Sequence, residues 1–282
     1  MSRLTEHTKR IEEFEAAEVT AGALQDINAI RMQSIRRRFE KNRAFYDEIR
    51  ELYRIVRASA LREHPSTETA VQERLLLVAV TSDRRFAGTL TRDIISTLIA
   101  KLAEAPQAAC LIIGRIGWQY FEQAGYASRG RQAIVAGDMP TREEFTFLLH
   151  RFAQFDRVLV YYSRFINSFH QEVAFEDITE YPDENKSSAE SEDQQASYLF
   201  EPEVPAILAF FDSQVRYVLF ERVMLESDLA RTAARFATME EAQENAHEVL
   251  HGERNNRMRE LAASSNAELL ETFAGFKQWH RA

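Results

Sequence analysis

Proline is missing from both ends of the chain. All six prolines (Pro65, Pro106, Pro140, Pro182, Pro202 and Pro205) fall between positions 65 and 205, so the first 64 and the last 77 residues have none. Glycine is scarce there too, with only Gly22, Gly252 and Gly275. Helix interiors exclude proline because it removes a donor and clashes with the preceding turn. A long helix is therefore expected at each end, with a loop-containing globular piece between them. The same distribution argues against an all-β protein, a collagenous or disordered chain, and a single bundle of equal helices. One cysteine, Cys110, rules out an internal disulfide and makes a reducing compartment the expectation. No apolar run approaches the ~18 residues of a membrane span. The charged segment Met1–Phe14 lacks the apolar core of a secretory signal. A net charge of -9 argues against non-specific nucleic-acid binding by the whole chain. The expectation is a cytoplasmic protein, or one held at a membrane through partners.

What the ends contain is a repeat. From Phe211, steps of four and three lead through Val215, Val218, Arg222, Leu225, Leu229, Thr232, Phe236, Met239, Gln243, Ala246 and Leu250. Nine of these twelve residues are apolar, and the mean step is 3.5 residues. That period marks a coiled-coil seam. Burying nine such side chains is worth roughly 14–27 kcal/mol gross, so the seam needs a partner. The polar members Arg222, Thr232 and Gln243 cost stability and fix register. Leu4, Ile11, Phe14, Ala21, Leu24, Ile27, Ile35, Phe45, Ile49, Leu52 and Val56 follow helical spacing less strictly and supply the partner. At ~1.5 Å per residue the two ends would form rods of roughly 90 to 110 Å. Antiparallel pairing around an intervening domain is the economical topology.

Between 72 and 178 strand and helix patterns alternate, which implies a mostly parallel, Rossmann-like sheet with helices on its faces. The strands expected are Leu75–Val80, Ala109–Ile113, Gln132–Ala136 and Arg157–Tyr162. Helices are expected from near Thr89, over Trp118–Ala124, and over Thr141–Phe152, the last with good amino-terminal residues in Thr141, Glu143 and Glu144. Residues 176–195 carry eight acidic side chains against Lys186 alone, and read as a solvated acidic loop. The division expected is 1–64 (helix of the coil), 65–200 (α/β domain) and 201–282 (second helix of the coil).

The loop Thr81–Gly88 stands where an α/β domain places a phosphate-binding turn. It holds one glycine and no lysine, so neither nucleotide fingerprint is present. Asp83 and Arg84 read as loop-fixing residues. His247-Glu248-Val249-Leu250-His251 is a formal HExxH, which on a helix sets two imidazoles one turn apart beside a general base. Its third ligand is missing, since Arg254 and Arg257 occupy the positions of the longer form, though Glu268 or Glu271 would offer a carboxylate. Leu250 also belongs to the seam, so two exposed helix histidines are the plainer reading. Arg36, Arg37 and Arg38, with Lys41 and Arg43, form a basic stretch that is either a solvated face or a contact for acidic partner loops or headgroups. Phe273, Phe276 and Trp279 are terminal aromatics at helical spacing, suited to an apolar socket on another chain.

Taken in order, these residues resemble the gamma subunit of rotary (F-type) ATP synthases over nearly the whole chain. Thr81-Ser-Asp-Arg84 followed by Gly88 is similar to the family's TSDRGLCGG segment. Ile113-Gly-Arg115 with Gly117, Phe121 and Gly125-Tyr126 resembles its next strand–helix unit. Val160-Tyr-Tyr, Phe165 and Phe200-Glu201-Pro202 are further landmarks in the family's order. Leu225-Glu-Ser, Ala233-Ala-Arg235, Met239, Ala242, Asn245-Ala246 and Glu268-Leu-Leu-Glu271 follow along the last helix. The resemblance implies an antiparallel coiled coil beside an α/β domain, serving as a non-catalytic rotor stalk with no cofactor or metal of its own. Its implied partners are catalytic alpha- and beta-type ATPase subunits, an epsilon-type subunit and a membrane rotor ring, on the cytoplasmic face of a bacterial inner membrane.

The departures are local. The family's Lys-Ala-Met-x-Met step reads Gly22-Ala23-Leu24-Gln25-Asp26, and its Leu-Cys-Gly-Gly reads Phe86-Ala87-Gly88-Thr89. Near the end, Ala-Arg-Gln falls on Glu260-Leu261-Ala262 and Ile-Thr-Gln on Ser265-Asn266-Ala267. Of the residues that would catch the catalytic subunits, Arg84 is retained, with Arg259 and Asn266 as stand-ins. The implied partner contacts are thus Arg84, Arg36, Arg37, Arg38, Arg259, Asn266, Glu268, Phe273, Phe276 and Trp279. Two other classes compete: a gamma-like scaffold or assembly protein without rotation, and a zinc peptidase built on the HExxH.

Overall fold

The computed structural model describes residues 3–63, 74–135, 137–179 and 204–279. Helix α1 runs unbroken over Arg3–Glu63 and helix α5 over Val204–Trp279. Between them lie β1 (Leu75–Val80), α2 (Leu90–Glu104), β2 (Ala109–Ile113), α3 (Arg115–Gln123), a 3₁₀ turn (Ala127–Arg129), β3 (Arg131–Ala133), α4 (Arg142–Phe152), β4 (Arg157–Phe165) and β5 (Gln171–Asp177). The five strands form one sheet in the order β3-β2-β1-β4-β5. The first four are parallel, and β5 alone is antiparallel to its neighbour. Antiparallel β5 is the one strand the sequence pattern did not announce. Two of the eight acids assigned to a solvated loop belong to it: Glu176 pairs with Arg222 at 2.6 Å and Asp177 with Arg157 at 2.7 Å. From residue 180 onward that acidic stretch, Lys186 included, lies outside the described residues.

The chain divides into two compact units, one of residues 30–235 and one of residues 1–29 with 236–282. In the larger unit the strands alternate their side chains between two covers, as a pleated sheet must. Leu77, Ala79, Cys110, Ile112, Leu159 and Tyr161 meet α2 and Phe121 of α3. Leu76, Val78, Val80, Leu111, Ile113, Val158, Val160 and Tyr162 meet α4, α5 between Val215 and Met224, and Tyr46 and Ile49 of α1. Helix α4 starts at a reciprocal cap: the Glu144 amide donates to Thr141 Oγ1 (3.3 Å) and the Thr141 amide to Glu144 Oε2 (2.7 Å). Because α5 lies between α1 and the sheet here, it is buried on every side. Nine consecutive residues, Ser227 to Arg235, are all buried.

Within each unit α1 and α5 pair antiparallel. In the smaller one the cross-helix contacts run Arg3–Glu260, His7–Glu253, Glu15–Arg254 and Glu18–His247. In the larger one they run Arg31–Asp228 and Asn42–Glu221. The seam of α5 sits where its period put it, with Val215, Val218, Leu225, Leu229, Thr232, Met239, Ala246 and Leu250 all buried. Phe211 and Val56 lie outside the described side chains. The partner seam of α1 needs correcting. Leu24, Ile27, Phe45 and Leu52 are 38–59% exposed. The covered positions step instead through Leu4, His7, Ile11, Phe14, Glu18, Ala21, Gln25, Asn28, Met32, Ile35, Phe39, Asn42, Tyr46 and Ile49. That register is a strict alternation of three and four, hidden in the sequence because several members are polar.

Candidate functional site

Each residue of Thr81-Ser-Asp-Arg84 has a separate structural task at the carboxyl end of β1. Thr81 Oγ1 donates to the Ile113 carbonyl at 2.6 Å, tying the ends of β1 and β2 together. This leaves no room opposite: a Cβ on Gly114 would fall 2.6 Å from Thr81 Oγ1, and Gly114 sits at φ +104. Asp83 accepts from the Arg115 amide (2.6 Å) and faces its Nε (3.3 Å), satisfying the amino terminus of α3. Ser82 turns inward. Its hydroxyl donates to Asp138 Oδ1 (2.6 Å) and accepts from the Arg84 amide (2.9 Å) and Arg235 Nη2 (2.7 Å). One donor and two lone pairs are the whole capacity of a hydroxyl, and all three are used. The next turn carries Phe86 at φ +67, a conformation that costs a bulky side chain free energy.

Asp138 is the centre of an ionic cluster. Its Oδ2 lies 3.0 Å from Arg235, 3.7 Å from Arg84 and 3.8 Å from Arg31. Arg231 donates to its carbonyl at 3.1 Å and to Ser227 Oγ at 2.6 Å. Arg31 also grips Asp228, at 3.1 and 3.2 Å from its two oxygens. Burial alone would raise the Asp138 carboxyl, but Arg231, Arg235, the Ser82 hydrogen bond and Arg31 together hold it below its ordinary value. Burial lowers Arg235 in spite of the carboxylate beside it, from so high a starting point that the guanidinium stays charged. Four guanidiniums thus face two carboxylates. Three of the four are buried or half-buried, whereas the Arg84 side chain is 58% exposed. Arg84 is where the surplus positive charge of the cluster reaches solvent.

Asp138, Arg31, Asp228, Arg231 and Ser227 were not among the expected site residues. Their signals were faint. Arg231 and Arg235 stand one turn apart in a run otherwise of small and apolar residues, and Asp138 follows Gly137 just ahead of a capped helix.

The other expected contact residues lie apart from this cluster. Arg36, Arg37 and Arg38 are exposed on α1, where Arg36 pairs with Glu40 at 3.4 Å. On α5, Arg259, Asn266, Glu268 and Phe273 are exposed, and every residue from Leu261 to Phe273 is. Phe273 is 71% and Leu270 70% accessible. Phe276 and Trp279 lie in α5, outside the described side chains. The HExxH histidines face different neighbours. His247 Nδ1 pairs with Glu18 at 3.0 Å, His251 Nδ1 with the Asn255 amide at 3.2 Å, and Leu250 between them is buried in the seam. Among the described residues no three His, Cys, Asp or Glu side chains stand together as a metal-ligand set.

The chain is similar to known proteins along almost its full length. A family model described as ATP synthase matches residues 3–277. An ATP synthase gamma chain from Nitrosospira multiformis is 28% identical over 81% of this chain and 83% of its own. One from Desulforamulus reducens is 25% identical over 95% of each. Among solved structures, a chain of the central stalk and c-ring of the Tetrahymena thermophila mitochondrial ATP synthase superposes with a TM-score of 0.58 at 18% identity, covering 79% of this chain and 99% of that one. A chain of the Euglena gracilis mitochondrial ATP synthase gives 0.54 at 15% identity, covering 89% and 95%. At these identities the superpositions speak for the fold. Matched by the family model from residue 3 to residue 277, the chain belongs to the ATP synthase gamma-chain family, as a divergent, non-catalytic subunit.

Proposed function

We propose that this chain couples ion flow through a membrane rotor ring to ATP synthesis or hydrolysis in a hexamer of alpha- and beta-type subunits, at the cytoplasmic face of a bacterial inner membrane. One observation carries the reading: α1 and α5 are unbroken helices of 61 and 76 residues that pair antiparallel on a 3.5-residue seam. A pair locked by a regular seam resists shear between its strands, which a torsion-bearing element needs. Among the described residues no helix is long and apolar enough to cross a membrane, in keeping with attachment through partners.

In this reading residues 1–64 and 201–282 are the shaft and 65–200 the domain beside it. Arg84, Arg259, Asn266, Glu268, Phe273, Phe276 and Trp279 meet the hexamer. Arg36, Arg37 and Arg38 meet the epsilon-type subunit and the ring. The exposed run Leu261–Phe273, with Leu269, Leu270 and Phe273 uncovered, suits an apolar bearing on another chain. Its outward charges suit exchange during rotation, because exposed ion pairs are worth only ~0–1 kcal/mol each. The test is reconstitution with the hexamer and ring. Deleting Asn266–Ala282, or Arg84→Ala, lowers the ratio of ions moved to ATP turned over while the complex still assembles. Unchanged coupling in both variants removes the contact assignments. A chain that forms no complex with the hexamer removes the function.

A further inference from the structure

At the edge of the sheet opposite the Ser82–Asp138 cluster, where β1, β2 and β3 begin, there is a cavity of about 370 Å³. Its floor is apolar, made by Leu76, Ala109, Leu111 and Phe155. Its rim carries Arg129, Arg131 and Arg151, and no Asp or Glu contributes to its lining. Arg129 is anchored by donating to the Pro106 carbonyl. Arg151 lies over the Phe147 ring, its guanidinium carbon 5.9 Å from the centroid. Among the described residues, none of the three forms an ion pair. Arg74 and Arg115, by contrast, pair with Asp156 and Asp83. What marks this place is that three such guanidinium groups line one concavity with no carboxylate among its lining residues.

From this we infer a binding site for a small phosphorylated molecule, with two or three negative charges and an apolar or aromatic body, held by Arg129, Arg131 and Arg151. Guanidinium forks match phosphate oxygens bidentately, and their charge-assisted bonds are among the strongest that a surface offers. The volume is at the small end of the range for ligand pockets, and an apolar floor under a few convergent polar groups is their usual construction. Cys110 on the wall is the sole thiol of the chain, and burial pushes it up to about 12. It therefore stays neutral and adds no negative charge against the ligand. The site is separate from the partner contacts proposed above and does not depend on them.

The experiment is calorimetric titration of the full chain at low salt with pyrophosphate and with ADP, both without metal. Hydrogen exchange on the same samples locates any contact. Saturable binding of at least one probe is expected, with protection confined to residues 128–131 and 151–155. Arg131→Gln and Arg151→Gln should each weaken it about tenfold, the loss of one charge-assisted contact. Arg92→Gln, on the exposed face of α2, should leave it unchanged. Circular dichroism shows whether each variant is folded, and the unsubstituted chain is decisive by itself. No saturation of either probe by about 5 mM, weaker than millimolar affinity, overturns the proposal. So does binding that survives both substitutions, or protection that falls elsewhere.

Discussion

Asp138 is a carboxylate buried among arginines, and its depressed titration makes it a stability element with a defined pH window. Because its folded value lies below that of the unfolded chain, near 3.9, its contribution is present above that value. It is lost as pH falls through the folded value. Glu226 acts in the opposite sense: burial raises it, despite Arg222 and the Tyr162 hydroxyl, so its contribution is complete in acid and lost as pH rises through its folded value. Asp138→Asn leaves Arg231 and Arg235 buried without their counter-charge and should cost about 3–5 kcal/mol at neutral pH. It should also flatten the acid side of the stability profile, measured by urea unfolding between pH 3 and pH 7. Gly114 gives a second test at this scale. An alanine there meets both a left-handed backbone and the Thr81 hydroxyl, so Gly114→Ala should lose more than ~2 kcal/mol in the same assay.

The two long helices are built differently along their length. Between Val215 and Arg235, α5 is buried by the sheet as well as by α1, and the apolar seam has help. Among the described residues of the smaller unit the buried apolar ones are Ile11, Ala21, Met239, Ala246 and Leu250, and several seam positions are polar. Glu253, 8% exposed, holds His7 at 2.6 Å and Arg10 at 2.9 Å, and Gln243 fills the space that Gly22 leaves. Such a coil depends more on ion pairs. Raising salt from 0.05 to 0.5 M shortens the screening length severalfold. Amide exchange should then quicken in residues 3–29 and 236–260 while β1, β2 and β4 stay protected. Gly252 offers the opposite lever. It is interior to α5 with nothing within 4 Å of where a Cβ would lie. Gly252→Ala should therefore stabilise that region by about 1 kcal/mol, read as slower exchange there.

At the scale of the molecule, the sequence by itself determined what depends on local rules. Proline-free ends, a 3.5-residue repeat on α5, apolar β-prone runs and a Thr–Glu cap specify two long helices and a mostly parallel sheet, because each rests on backbone sterics or on side-chain period. The covered face of α1 was not legible in this way. Gln25, Asn28 and Asn42 occupy seam positions while Ile27 and Phe45 face outward, and a hydrophobic count favours the wrong stripe. β5 escaped for a related reason: an edge strand with Glu172 and Phe175 exposed shows little alternation. Arg84 could be singled out in the sequence, but its electrostatic setting could not. Asp138, Arg31, Arg231 and Arg235 lie up to about 200 positions apart in the chain, and charges interact over a few ångströms of space. Only the tertiary structure decides which of them meet, because packing α5 between α1 and the sheet brings those distances down to 3–4 Å.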